Sequence, residues 1–418
     1  VKNSRHPDIL KDDLNAKISV LNLGAQQLKD LIKRYGKDEL KACFSDLLRE
    51  SKDAFKNLIE KNIKDGEWKI KKTIAPDHFE SKNYVILTLS KEDNKLSLNF
   101  TGTSDQSEGP INCPLYGNGV NFVARLLTPF LLQLENDSDQ RNNIRVNDGA
   151  CKILEIILPE SRTLVTPDFP APIGLRLLTV SSIISGFNEL LFKASSGKTR
   201  VGFENLNTLS FFSENKKNRT TLFRESIGSG AGASFNSDGV SSVLPLSGTG
   251  RIPVEIAESR YPLQIIREEL TVDSAGHGKF RGGLGVTKEY HLEEDSLISL
   301  TRNGDEAFVL GKIGGHNGTP SKQLISHKSS KKTPLPSIIS SEKITIGESL
   351  TIQASGGGGY GNPLQRNIHL VKEDVSRGYI SRSTALKTYG VVFKNNKSLE
   401  IDEKLTKKER QQLSKKKK

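Results

Sequence analysis

Two stretches of this chain combine residue types and spacings that could do chemistry. The first is Phe100-Thr-Gly-Thr-Ser-Asp-Gln-Ser-Glu-Gly-Pro-Ile-Asn-Cys-Pro114. It gathers hydroxyls, carboxylates and amides into a Gly/Pro-restrained loop at the end of an expected strand, which is how a strand end presents polar groups to a ligand. Thr103, Ser104 and Asn112 are its candidate substrate-orienting residues. The same composition also suits a hydrogen-bonded turn that caps the next helix. The second stretch is Asp273-Ser-Ala-Gly-His-Gly-Lys-Phe-Arg-Gly-Gly-Leu-Gly285. Successive main-chain N–H groups there could form an anion-binding nest. Arg281 could grip a carboxylate with two nitrogens, whereas Lys279 would act as a point charge. A wide turn with solvated basic residues would read the same way. No nucleophile–base pair and no acid/base pair of carboxylates is visible, so no catalytic residue is assigned.

The second stretch belongs to a wider cluster. Between Gly228 and Gly285 there are eleven glycines, ten of them in three knots, 228–232, 247–251 and 276–285. Glycine is required where the backbone turns left-handed, or where a ligand or another backbone comes very close. The apolar residues between the knots, Ile252, Val254, Ile256, Leu263, Ile265 and Ile266, argue for a folded place rather than a linker. Gly230, Gly282 and Gly283 are therefore candidate residues for lining a substrate with main-chain groups.

Familiar motifs fail. Ser196-Gly-Lys-Thr199 holds the GKT of a phosphate-binding loop, but Phe192 stands where that loop needs its first glycine, and a helix precedes it instead of a strand. The glycine knots have the wrong spacing for a dinucleotide fingerprint. There is no GxSxG elbow and no HExxH pair. Seven scattered histidines and three widely spaced cysteines, Cys43, Cys113 and Cys151, give neither ligand spacing nor a disulfide framework, so no metal site is expected within this chain. That cysteine usage fits a reduced compartment. The net charge of +12 is concentrated at the end: from Glu403 onward there are eight Lys/Arg against two Glu. A solubilising tail is expected there, with nucleic-acid binding a distant alternative. No run approaches the length of a membrane span. The chain opens with Val1, contains no Met and enters a helix at once, so it is read as the C-terminal part of a longer protein.

The elements that must position these residues follow from periodicity. Leu10, Leu14, Ile18, Leu21, Ala25, Leu28 and Ile32 recur at steps of three and four, and a second helix spans about 38–64. Three strands follow, through Trp68–Ile74, Val85–Leu89 and Leu96–Phe100. Helices are expected near 118–133 and 174–195, a strand at 152–158, and a β-rich, glycine-laden region from 200. Two short helices, about 369–377 and 382–388, precede the tail. The expected fold is mixed α/β (α+β): a helical hairpin at 1–65, an α+β unit at 66–198, a Gly-rich β domain at 199–365, C-terminal helices at 366–400 and a basic tail at 401–418.

With these segments in order, the chain resembles the hydantoinase B / 5-oxoprolinase family, which includes the acetone carboxylase alpha subunit. The resemblance rests on the 100–112 stretch, Gly228-Ser-Gly-Ala-Gly-Ala with Asp238-Gly239, and Leu244-Pro-Leu. It continues through Ile252-Pro-Val-Glu, Tyr261-Pro-Leu, the 273–285 stretch, Gly314-Gly315 and Gly356-Gly-Gly-Gly-Tyr-Gly-Asn-Pro363. Glu373-Asp374-Val375 and Tyr389-Gly-Val-Val392 close it. The resemblance implies a cytoplasmic, multi-subunit or fused enzyme. Its A-type partner would bind ATP with Mg and activate a lactam or imide carbonyl by phosphorylation, and the B-type part would help open the ring. On the carboxylase branch a ketone is carboxylated instead. The family's His/Asp-rich segment, which resembles a metal site, precedes the region seen here, so a metal ion would come through that absent N-terminal region. A truncated, non-catalytic scaffold for the A-type partner is the other alternative.

Overall fold

The computed structural model describes residues 7–416 apart from 75–82, 94, 136, 203–206, 215–219, 245–249, 303–308 and 396–397. The hairpin is α1 (Pro7–Tyr35) and α2 (Lys37–Asn62), joined at Gly36, whose φ of 89° lies in the left-handed region. Their partners differ. Helix α2 buries Leu40, Phe55, Leu58 and Ile59, whereas α1 buries nothing. The stripe of α1 stands in solvent, with Ile18 56% and Leu21 72% exposed. A stripe of this kind is what a helix normally hides against a neighbour.

Strands β1 (Gly66–Thr73), β2 (Tyr84–Glu92) and β3 (Lys95–Asn99) form an antiparallel meander. Helix α3 (Asn118–Leu127) runs into a 3-10 turn at Thr128–Leu134, so the helix expected over 118–133 changes pitch where Pro129 stands. Short helices α4 (Ser138–Asn143) and α5 (Asp148–Cys151) lead to β4 (Leu154–Ile157), which pairs in parallel with β3. Helix α6 (Arg176–Ala194) packs on this sheet with nearly every side chain buried. Its low polarity is that of a core helix enclosed on all sides.

The β-rich unit is a sandwich. Strands β5 (Asn207–Glu214) and β6 (Thr220–Ser226) are followed by α7 (Val254–Arg260), β7 (Leu263–Leu270), β8 (Val286–Leu292) and β9 (Ser296–Arg302). Then come β10 (Lys322–Ser326), β11 (Lys332–Pro334), β12 (Ile338–Ile344) and β13 (Ser349–Gln353). One sheet has the order β11-β10-β13-β8-β7 and the other β12-β9-β5-β6. Leu209, Phe223, Tyr290, Leu300 and Leu350 fill the space between them. A buried ion pair lies there too: Lys288 Nζ lies 2.9 Å from both Glu225 and Glu268, and the Tyr290 hydroxyl donates to Glu225 at 2.5 Å. A buried ammonium survives only with such partners.

The chain ends with α8 (Ile368–Ser376), α9 (Arg382–Lys387) and α10 (Glu403–Lys416). The segment read as a solvated tail is corrected by α10. Thr406 is buried, and Arg410 donates to the carbonyls of Tyr389 (2.9 Å) and Arg366 (2.8 Å). Lys404, Lys407, Lys408 and Lys415 are exposed, so charge counting described one side of the helix and missed the other. All three cysteines are unpaired thiols, and burial pushes that of Cys113 up to about 12.

Candidate functional site

The loop after β3 folds back against β2. Ser104 Oγ accepts the Tyr84 N–H at 3.1 Å, and Thr103 Oγ1 accepts the Ile86 N–H at 3.1 Å and donates to the Phe100 carbonyl at 2.8 Å. Asn112 is fully enclosed: its Oδ1 accepts the Ser107 N–H, and its Nδ2 donates to the carbonyls of Ser107 and Pro172 at 2.8 and 2.9 Å. These three side chains splice the loop to the sheet and to the entry of α6. Asp105 and Glu108 point outward, and with Arg162 they edge an open groove of about 620 Å³.

The glycine knots do come together. Extended segments around 228–233, 239–243, 274–285, 309–319 and 355–361 lie side by side and exchange backbone hydrogen bonds. Gly230 N–H donates to the Ser355 carbonyl at 2.8 Å, Gly282 N–H to Gly276 at 2.9 Å, and Gly283 N–H to Ala231 at 2.8 Å. A Cβ added to Gly230 would stand 2.0 Å from the Gly283 oxygen, and one added to Gly282 would stand 1.9 Å from that of Gly357. Glycine is required here because main chain touches main chain. The N–H groups of these three candidates are spent inside this bundle, on carbonyls of neighbouring segments. Residues 247–249 of the middle knot and the Pro245–Leu246 part of the family segment lie outside the described residues.

Arg281 leaves the bundle on its outer side and meets a buried charge network. Its Nε donates to Asp374 at 3.2 Å, and its guanidinium lies 5.1 Å over the Tyr379 ring. Arg366, 1% exposed, sits at the centre. It grips both oxygens of Asp238 at 2.7 Å each and reaches Asp374 Oδ2 at 2.8 Å. Asp238 also accepts the Arg281 N–H at 2.8 Å. Burial alone would neutralise these groups, and the forked bonds outweigh it at two of them: Asp238 is held below the usual carboxylate range and Arg366 is raised, whereas at Asp374 burial prevails and raises the carboxyl. The network bolts α8 to the glycine bundle. Sequence reasoning missed Arg366. The signal was present only in the matched segments holding Asp238 and Asp374, two acids that need a buried cation.

His277 lies beside this network, with Nδ1 3.3 Å from the Tyr389 hydroxyl and its ring 5.9 Å from that of His316. Burial, reinforced by His316, lowers its pKa to about 4. In the unfolded chain the same imidazole titrates near 6.5. Between these values the unfolded state takes up a proton that the folded state refuses, so stability falls as pH drops from about 6.5 to 4 and is unaffected above that window. The loss is expected to be on the order of 2–3 kcal/mol. Denaturant unfolding at stepped pH checks it: His277→Gln should flatten that window, and an unchanged slope would remove His277 from the account.

Thr103, Ser104 and Asn112 thus lie in the unit built on the first sheet, and Gly230, Arg281, Gly282 and Gly283 lie in the bundle. The hydrogen bonds described above join none of the first three residues to the other four. Among the described residues, no group of three His, Cys, Asp or Glu side chains is placed to hold a metal ion. No helix among the described residues is long and apolar enough to cross a membrane.

Known proteins share both sequence and fold with this chain. A protein of Methanocaldococcus jannaschii is 31% identical over 97% of this chain and 69% of its own length. The 5-oxoprolinase of Dictyostelium discoideum is 26% identical over 84% of this chain and 26% of its own length. The crystal structure of the ATP-dependent caprolactamase from Pseudomonas jessenii superposes with a TM-score of 0.78 at 22% identity, covering 98% of this chain and 70% of that one. The chain thus spans about two thirds of the first relative and about a quarter of the second. The family described as Hydantoinase B/oxoprolinase matches residues 1–363, and with a 31% identical relative beside that match, this chain belongs to the hydantoinase B/oxoprolinase family.

Proposed function

We propose that the chain is the B-type portion of an ATP-dependent cyclic amidase, which opens a lactam or imide ring together with an ATP-binding A-type partner. The observation that carries this reading is the family match over 1–363, whose relatives include proteins named for caprolactam and 5-oxoproline. ATP with Mg belongs to the partner in this reading, and a metal, if used, comes from residues outside this chain. The exposed stripe of α1 supports work in contact with another protein surface.

Thr103, Ser104, Asn112, Gly230, Arg281, Gly282 and Gly283 are positioning residues in this reading. They hold the strand-end loop and the glycine bundle in one shape, and the ring meets groups carried on that frame. Preorganisation of this kind matters because donors aimed at a developing oxyanion gain most when they need not reorganise.

The test is to produce the full-length protein with its ATP-binding partner and to follow ADP release in the presence of 5-oxoproline, hydantoin or caprolactam. ADP release matched by ring-opened product is expected, with none from this chain alone. ADP release that instead requires bicarbonate and a ketone would replace the amidase reading with a carboxylase one.

A further inference from the structure

Where the end of α6 meets the glycine bundle, a cavity of about 70 Å³ is lined by Gln133, Arg141, Lys198, Thr199, Arg200 and the turn Ser234–Asp238. That is room for about two waters or one phosphate-sized ion. The Thr199 side chain is 1% exposed, yet its hydroxyl has no hydrogen-bond partner. A buried hydroxyl left unsatisfied costs about 1–3 kcal/mol, so its orphaning here needs a reason.

The charges around it give one. Three cations line the cavity. Lys198 has no ion-pair partner among the described residues and reaches solvent. The Arg200 backbone is pinned by Gln133 Oε1, which accepts its N–H at 3.1 Å, and Gln133 is itself fixed by a 3.0 Å bond to Asn188. Arg141 is oriented by donating Nε to the Glu135 carbonyl at 2.9 Å. The lining carboxylate, Asp238, is already neutralised by the two-nitrogen grip of Arg366. Lys198 and Arg141 therefore bring positive charge to the cavity. The C-terminal end of α6 works against an anion by about 0.3–1 kcal/mol. Its last carbonyls are largely satisfied, however, since Ser195, Ser196 and Gly197 donate back to Leu191, Lys193 and Phe192.

We infer that this cavity is a binding site for a small oxyanion of the phosphate class, held by Lys198, Arg200 and Arg141 and by the Thr199 hydroxyl. Ser196–Thr199 is no phosphate-binding loop of the Walker kind, since a helix enters it and the N–H groups of Ser196, Gly197 and Lys198 are used within the turn. It contributes side chains instead. Two sources share the chemistry: inorganic phosphate, and the phosphoryl group of an activated carbonyl. The second source rests on the proposed ATP-dependent reaction; the site itself does not.

The experiment is calorimetric titration of the full chain with inorganic phosphate at low ionic strength, then with acetyl phosphate. Saturable binding near 1 mM, about −4 kcal/mol, is expected. Lys198→Gln should weaken it about tenfold and Thr199→Val several-fold, with the thermal midpoint unchanged. Lys198 is exposed, so its variant keeps the test valid if Thr199→Val does not fold. Acetyl phosphate binding at least tenfold tighter than phosphate would identify the activated carbonyl as occupant, and equal affinity would identify inorganic phosphate. No saturable binding of either, or binding indifferent to Lys198→Gln, would overturn the site. Phosphate binding that persists where no ATP-dependent turnover is found would retain the site and reject only the amidase reading.

Discussion

Arg366→Met is expected to destabilise the folded chain by about 3–5 kcal/mol, because it leaves Asp238 and Asp374 without their shared counter-ion. Arg366 makes bonds at 2.7 Å to each oxygen of Asp238 and at 2.8 Å to Asp374, with 1% of its surface exposed. Lysine should not rescue it, since a single ammonium cannot fork between two carboxylates. Urea unfolding of the two variants measures the cost. Combining Arg366→Met with Asp374→Asn should be less than additive, because both remove one interaction. A cost of Arg366→Met below about 1 kcal/mol would show that α8 is held mainly by its apolar contacts, Val371, Ile380 and Tyr389.

Gly282→Ala should be worse, costing more than about 4–5 kcal/mol and emptying the soluble fraction. The new methyl would lie 1.9 Å from the Gly357 carbonyl oxygen, a distance that only main-chain movement can relieve. Because Gly357 N–H donates to Gly283 and Gly276 N–H to Gly357, that movement would break bonds across three segments. Gly24→Ala is the control. It sits mid-helix in α1 with nothing within 4 Å, so alanine should stabilise the helix by about 1 kcal/mol. Thermal unfolding of the pair separates the two roles of glycine. A Gly282→Ala protein melting within a few degrees of the parent would end the close-packing account.

Periodicity carried most of the helices and strands, because Leu14, Ile18 and Leu21, or Val85, Leu87 and Leu89, face one way whatever surrounds them. It failed where the partner is remote. The stripe of α1 reads like that of any packed helix, and nothing local reveals that α2 turns to α5 and leaves it bare. The cluster of glycines was legible as a place of close approach. What approaches is set by residues far along the chain: Gly230 meets Gly283 and Gly357. The seam cavity was illegible for the same reason, since Lys198 and Ser234 come together only when two units close on each other. Arg366 carries no local pattern at all. Its meaning lies in Asp238, which is distant in sequence.

The family-model match ends at residue 363, just before Arg366, although similarity to a relative runs over 97% of the chain. The border of that match is therefore not the border of the buried charge network. A fragment trimmed to residues 1–363 would lose Arg366, Asp374 and the arginine of α10 that clasps the Arg366 carbonyl. Asp238 and Arg281 would then be left facing water across a seam shaped for burial, so whatever is borrowed from this protein, for grafting or for expression, has to carry its last helix.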